Sequence, residues 1–230
     1  NRSYMKILIT GGSGFIGKKV IEELVDKVEM IYLLVRSSSL HKVESFKNYT
    51  NIKIIEGDIL DNDVVASVND FVELCDSVTH ILHLAAKYDL EMTDLDAYTF
   101  NVIGVQNILT LSRRFKKLEY FHHVSSYSAA GPISGKVLED EVADIDEYTD
   151  HYARSKMQGE QIFRSMDIGK VKKRIYRPGI TIGSTDDGLI EKIDGPYYLL
   201  KFVYENQDKL QFINKLGFFP FPFEKDSTLP

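Results

Sequence analysis

The sequence predicts an α/β fold, a doubly wound parallel sheet with helices on both faces. Three observations lead there. Strand-length apolar runs alternate with helix-length stretches from Met5 to Val124, the pattern of a layered α/β sheet with right-handed crossovers. Residues 29–35, Glu-Met-Ile-Tyr-Leu-Leu-Val, are almost continuously apolar, as suits a strand buried on both faces. A glycine-rich turn joins the first strand to the first helix at the start of the chain.

That turn organises the rest. Met5-Lys6-Ile7-Leu8-Ile9 runs into Thr10-Gly11-Gly12-Ser13-Gly14-Phe15-Ile16-Gly17, and Phe15, Ile16, Val20, Ile21 and Leu24 then recur at helical spacing. Gly11 permits the tight turn, Gly14 lets backbone approach a pyrophosphate, and Gly17 lets helix and strand pack closely. The free N–H groups of the helix start, at Phe15 and Ile16, and its positive dipole end suit phosphate. An ordinary glycine-rich turn would contain the same residues. Its place between strand and helix is what dinucleotide binding demands, so the sheet is expected to be Rossmann-type.

The second strand ends at Arg36, followed by Ser37 to Ser39, with no acidic residue at the strand end. An acid there accepts the ribose hydroxyls of NAD, whereas an arginine accommodates a 2′-phosphate. Arg36 therefore points to NADP, with NAD as the alternative if it is only a solvated loop residue. Residues 40–51 read as a short helix or loop, and 52–57 as a third strand. Asp58-Ile59 follows, where the carboxylate could meet an adenine amino group or cap the next helix. A helix over 62–75 leads to a fourth strand, Val78 to Leu84, and then Ala85-Ala86, small residues that let a cofactor lie close. A helix over 94–115 carries Asn101, and a fifth strand from Leu118 to Val124 ends at Ser125-Ser126. His122 and His123 are adjacent, so they face opposite sides of that strand. With His41, His80, His83 and His151 they form no ligand pattern, and no metal site is expected.

The 230 residues, 43% hydrophobic, suffice for one domain with a small appendage. The net charge of −6, read with no basic cluster, argues against nucleic acid as a partner. Cys75 is the single cysteine, which fits a reducing compartment and a cytoplasmic location. No run is long and apolar enough for an integral membrane segment.

Tyr152-Ala153-Arg154-Ser155-Lys156 places Tyr and Lys one helical turn apart. A nearby ammonium would favour the phenolate and lower the tyrosine pKa. Alone this spacing means little; its company gives it weight. Together with Gly57-Asp58, His83-Leu84-Ala85-Ala86, Asn101-Val102-Ile103-Gly104, Val124-Ser125-Ser126 and Arg177-Pro178-Gly179, the chain resembles the extended branch of the short-chain dehydrogenase/reductase superfamily, from about Met5 to Gly183. The resemblance implies a proton donor or acceptor at Tyr152, its electrostatic partner and ribose ligand at Lys156, and a substrate-oxygen donor at Ser126. Ser126 is preferred to Ser125 because it stands five residues before Gly131. The resemblance also places Asn101 near the nicotinamide ribose, unless it is a capping or packing residue, and Pro178, Gly179 and Ile180 beside the nicotinamide.

Leu34-Val35-Arg36, Tyr152 to Glu160 and Arg177 to Gly183 resemble thioester reductases and fatty acyl-CoA reductases within that branch. Asp194-Gly195-Pro196-Tyr197-Tyr198 is similar to reductase domains joined to lipid-modifying domains. Tyr127-Ser128 stands where a sugar-nucleotide dehydratase would have an Asp-Glu pair. The expected activity is thus an NADP-dependent reductase acting on an acyl thioester or carbonyl, with acyl-CoA or a carrier-bound thioester as partner. The alternatives are a nucleotide-sugar epimerase using NAD and a non-catalytic NADP-sensing module.

The expected division is a Rossmann domain over 5–183 and a small, incomplete substrate lobe over 184–230. That lobe holds an amphipathic helix over 197–204. It also holds the run Gly217-Phe218-Phe219-Pro220-Phe221-Pro222-Phe223, too proline-punctuated for a central strand or helix interior. The run is read as a substrate lid or as a loop packing on the main domain. Helices 94–115 and 150–167 are candidates to pair in a homodimer, by analogy with the family.

Overall fold

The computed structural model describes residues 3–88, 92–181 and 196–206. The sequence expectations for 184–195 and 217–223 lie outside them. Two compact units divide the chain, 1–179 and 180–230.

The first unit is built on six parallel strands: β1 (Ser3–Thr10), β2 (Val28–Val35), β3 (Ile52–Glu56), β4 (His80–His83), β5 (Tyr120–Val124) and β6 (Lys172–Tyr176). Their order is β3-β2-β1-β4-β5-β6. This is the doubly wound Rossmann order, with the switch in winding direction at β1 and β4. Register fixes which side chains share a face. Ile7↔Ile31 and Ile9↔Leu33 pair across β1 and β2. On that face Ile7, Ile9, Ile31 and Leu33 pack with Ile21 of helix α1 (Phe15–Leu24), and with Val43 and Phe46 of the 3₁₀ segment Ser37–Asn48. On the other face Leu8, Ile81 and Phe121 pack with Leu74 of α2 (Val68–Ser77), with Ile108 and with Phe163. Each such side chain, moved fully from water, contributes about 1.5–3 kcal/mol.

Three elements differ from expectation. Helix α2 starts at Val68 because Ser67 caps it, its hydroxyl accepting from the Asp70 N–H at 3.3 Å. The preceding residues turn through Val64, at φ 38°, and pair Gly57 with Val65. The helix expected over 94–115 is three consecutive pieces, α3 (Asp94–Tyr98), a π turn (Thr99–Ile103) and α4 (Gly104–Ser112). Strand β6, the last of the sheet among the described residues, escaped notice because its alternate residues are Lys172, Arg174 and Tyr176, all exposed.

Helix α5 (His151–Ser165) begins at Asp150, whose carboxylate accepts from the Tyr152 and Ala153 N–H groups. In the second unit, α6 (Pro196–Glu205) covers the expected helix over 197–204. Its proline stands at the first helical position, where the missing N–H costs no bond. No helix among the described residues is long and apolar enough to cross a membrane. One charge expectation is corrected. Segments 113–117 and 170–174 are both basic, and pairing of β5 with β6 brings them to the same end of the sheet.

Candidate functional site

A cleft of about 440 Å³ opens at the C-terminal ends of β1, β2 and β4, lined by Gly11, Gly14, Arg36 and Asp58 among others. Ile59, Leu84, Ala85 and Ala86 line it too. This is the crevice where doubly wound sheets bind ligands. Lys87 and Phe100, which sequence reasoning missed, add to its wall, the lysine ammonium lying 5.1 Å from the phenyl centroid.

The glycines show what the turn can accept. A Cβ on Gly11 would lie 2.5 Å from the Ala85 nitrogen, and Gly11 itself sits at φ +74°. One on Gly17 would lie 2.5 Å from the Gly11 carbonyl oxygen. Gly14 is different: a Cβ there meets only the Gly11 oxygen, at 3.3 Å, so its open side is the cleft. Helix α1 has no side-chain cap and no acid in its first turn. The N–H groups at Phe15 and Ile16 therefore remain available to an anion, and the turn fits a pyrophosphate.

At the adenosine end, Arg36 is exposed and precedes the 3₁₀ segment. The fold adds an acid that the chain order concealed. Glu56, aligned with Val35 across β2 and β3, accepts a hydrogen bond from the Ser37 hydroxyl. Asp58 accepts from the Leu60 N–H at 3.0 Å, which fixes its carboxylate at the cleft edge.

The catalytic candidates lie beyond this cleft, at the ends of β5 and β6 and on α5. Of the paired serines, Ser126 is the one that lies near enough to the Tyr152 phenol to act on its pKa; its hydroxyl donates to Ser128 Oγ at 3.3 Å, and Ser125 Oγ is buried with no hydrogen-bond partner among the described residues. Ser126 also starts a 3₁₀ turn, Tyr127–Ala130, accepting from the Ser128 N–H at 3.3 Å. Tyr88 packs edge-on against Tyr152, centroids 4.9 Å apart. Burial raises the Tyr152 pKa, while the nearby Ser126 hydroxyl opposes the rise. Here the expected lowering by Lys156 is corrected. The Lys156 ammonium is turned to the Val124 carbonyl, 2.9 Å away, and burial pushes its own pKa down to about 8, against the pull of Glu160.

Asn101 is placed by the π turn and is 2% exposed. Its carbonyl accepts from the Lys87 N–H at 3.0 Å, and its amide donates to the Ser155 hydroxyl at 2.9 Å and to the Lys87 carbonyl at 3.2 Å. Ser155 in turn donates to the Tyr152 carbonyl. With these bonds made, Asn101 ties the β4 loop to α5. Gly159 permits the close approach, since a Cβ there would meet the Asn101 carbonyl oxygen at 2.5 Å.

Two further ties went unseen in the sequence. Thr10 Oγ1 and His83 Nδ1 are 2.6 Å apart, joining the ends of β1 and β4. Glu160, 1% exposed, takes a bidentate bond from Arg177, 2.8 and 2.7 Å, and so fixes α5 to the end of β6. Only the Glu-Arg spacing across helix and strand could have hinted at it. Pro178 receives the Tyr127 N–H on its carbonyl at 3.0 Å, Gly179 is exposed, and Ile180 falls in the second unit.

The family model described as Male sterility protein, NAD_binding_4, matches residues 9–218. Fatty acyl-CoA reductase 2 of Homo sapiens is 28% identical over 240 residues, covering 83% of this chain and 46% of that protein. UDP-glucose 4-epimerase of Haemophilus influenzae is 31% identical over 195 residues, covering 81% of this chain and 56% of its own length. The terminal R domain from the myxalamid PKS-NRPS biosynthetic pathway superposes with a TM-score of 0.68 at 26% identity, covering 80% of this chain and 52% of that one. The chain thus spans about half the length of these relatives.

Proposed function

The chain belongs to the Male sterility protein family of NAD(P)-binding domains, within the extended short-chain dehydrogenases/reductases, and from that membership we propose that it is an NADP-dependent reductase of an acyl thioester or carbonyl. The observation that carries the reading is the proximity of Ser126, just after β5, to the Tyr152 phenol on α5, in a chain whose phosphate-accepting turn and Arg36 line the cleft. The likeness to a fatty acyl-CoA reductase and to a pathway-terminal R domain favours a thioester over a sugar.

In this reading Gly11, Gly14 and the N–H groups of Phe15 and Ile16 hold the pyrophosphate, and Arg36 takes the 2′-phosphate. Asp58 and Ile59 border the adenine. Leu84, Ala85 and Ala86 form the floor, Lys156 holds the nicotinamide ribose, and Pro178 and Gly179 border the nicotinamide. A bound nicotinamide supplies the hydride. A raised pKa keeps Tyr152 protonated near neutrality, so it serves as the acid. It donates its phenolic proton toward the carbonyl oxygen on which negative charge develops. Ser126 donates to that same oxygen, the electrostatic stabilisation on which carbonyl chemistry depends. With a thioester, the tetrahedral adduct then returns its hydroxyl proton to the Tyr152 phenolate as the C–S bond breaks, leaving an aldehyde and a thiolate that is protonated from solvent.

The test pairs NADPH and NADH titrations on the wild type and Arg36→Ala, with acyl-CoA and aldehyde panels assayed for NADPH oxidation. NADPH binding at least about tenfold tighter, roughly 1.4 kcal/mol, and lost in the variant, supports the reading. Absence of NADPH oxidation with every carbonyl substrate overturns it. The epimerase reading rests on the Haemophilus influenzae relative and predicts equal or tighter NADH binding. Unchanged function in Tyr152→Phe would instead favour a non-catalytic NADP sensor.

A further inference from the structure

The end of the sheet opposite the cleft carries its own pattern. Segments 113–117, Arg-Arg-Phe-Lys-Lys, and 170–174, Lys-Val-Lys-Lys-Arg, hold four cations each and no acid, in a chain of net charge −6. They are over fifty residues apart in sequence. The fold closes them into one rim. Lys172 pairs with Tyr120 across β5 and β6, its N–H donates to the Glu119 carbonyl at 2.9 Å, and Arg113 donates to the Asp167 carbonyl through Nε and Nη2.

Part of this charge has a structural use. Arg113 and Lys173 satisfy carbonyls at the end of α5, with Lys173 reaching Phe163, Arg164 and Met166. Lys116 pairs with Asp76 at 2.6 Å. Five cations remain. Arg114, Lys117 and Lys170 are exposed, and their side chains make no hydrogen bond or ion pair with the described residues. Lys172 and Arg174 are exposed and lie over the Tyr120 ring, 5.1 and 4.9 Å from its centroid. The rim's remaining acids are Glu119, which accepts from the Tyr4 hydroxyl, and Asp167, which accepts from the Gly169 N–H.

We propose that this rim is a docking surface for an anionic membrane, with Arg114, Lys117, Lys170, Lys172 and Arg174 meeting phospholipid headgroups. Clustered exposed cations of this number are attracted to an anionic bilayer surface within a Debye length. Tyr4, 66% exposed at the same rim, adds an amphipathic ring of the kind that favours such an interface. Single-stranded nucleic acid fits less well, because it needs bare aromatic faces for its bases, and two cations already cover Tyr120. Docked in this way, the chain turns its cleft toward water. Its substrate then arrives from the aqueous side and is not drawn directly out of the bilayer.

The experiment is flotation of the whole chain with phosphatidylcholine vesicles, with and without about 30 mol% phosphatidylserine, at low and physiological salt. Arg114→Glu/Lys117→Glu/Lys170→Glu is compared with Lys42→Glu/Lys47→Glu/Lys136→Glu, which changes the net charge equally away from the rim. The expected result is salt-sensitive binding only to the anionic vesicles, weakened at least about tenfold by the rim triple and much less by the scattered one. Equal loss in both triples, equal binding to neutral vesicles, or no binding at all overturns the proposal. Tighter binding to a single-stranded RNA homopolymer than to the vesicles overturns it in favour of nucleic acid. Retained cofactor binding by the rim triple confirms that it folds.

Discussion

The two rims of the central sheet handle charge in opposite ways. Around the catalytic candidates, at the ends of β4 and β5 and on α5, ionisable groups are sunk into the protein: Lys156 is 3% exposed, Glu160 1% and His83 0%. Lys156 and Glu160 each have a hydrogen-bonded partner, Lys156 the Val124 carbonyl at 2.9 Å and Glu160 the Arg177 guanidinium at 2.8 and 2.7 Å. At the N-terminal rim the cations stay in solvent, and several rest only on an aromatic ring or a backbone carbonyl. The difference shows how a fold separates charge for chemistry from charge for contact. A charge withdrawn from water must be paired or its pKa moves; a charge left in water keeps its form and its long reach.

The largest effect that would test this contrast is on stability. Arg177→Ala strands the buried Glu160 carboxylate. It should cost about 3 kcal/mol, the low end for a broken buried pair, because Arg164 stays 3.7 Å from the same oxygen. Arg114→Ala at the other rim should change stability by no more than about 0.5 kcal/mol. Urea unfolding of the two variants measures both, and equal losses would erase the distinction.

A smaller effect separates the rims by pH. Burial, chiefly, holds His83 down at about 3 and His123 well below its ordinary value. Unfolded histidines take up protons below about pH 6.5, while these folded ones do not. The unfolded state therefore binds more protons, and stability present above about pH 6.5 is lost as pH falls toward 3. Urea midpoints should already drop between about pH 6.5 and 5, before most carboxylates titrate. His83→Gln/His123→Gln should reduce that slope, the remainder coming from His80 and His122, which burial also lowers, and replacing the exposed His41 should leave it intact. A flat wild-type profile would count against the buried, neutral pair.

The smallest expected effect is at the adenosine end, where the cleft meets solvent. Glu56 holds Ser37 and sets an exposed negative charge near Arg36. Glu56→Gln should tighten NADPH severalfold, about 0.5–1 kcal/mol for an exposed charge, with little change for NADH. Calorimetry reads it directly, and an equal gain for both cofactors would place Glu56 away from the 2′-phosphate.

The sequence alone determined the parts in which chemistry is local. Alternation of apolar runs specified a parallel sheet, because a strand covered on both faces has few polar positions to spend. The glycine turn was legible because its backbone conformation and close approaches require glycine at those spacings. The Tyr152–Lys156 spacing was visible for a similar reason, one turn of helix. Tertiary structure decided everything that depends on distance between strands. It turned Lys156 to the Val124 carbonyl and buried Tyr152, whose pKa rises where the Tyr-Lys spacing implied a fall. It set Glu56 beside Ser37 through register, spent Asn101 on Lys87 and Ser155, and closed two basic segments into one rim. Desolvation, pairing and long-range charge depend on what surrounds a group in space, and a linear reading shows only its neighbours in the chain.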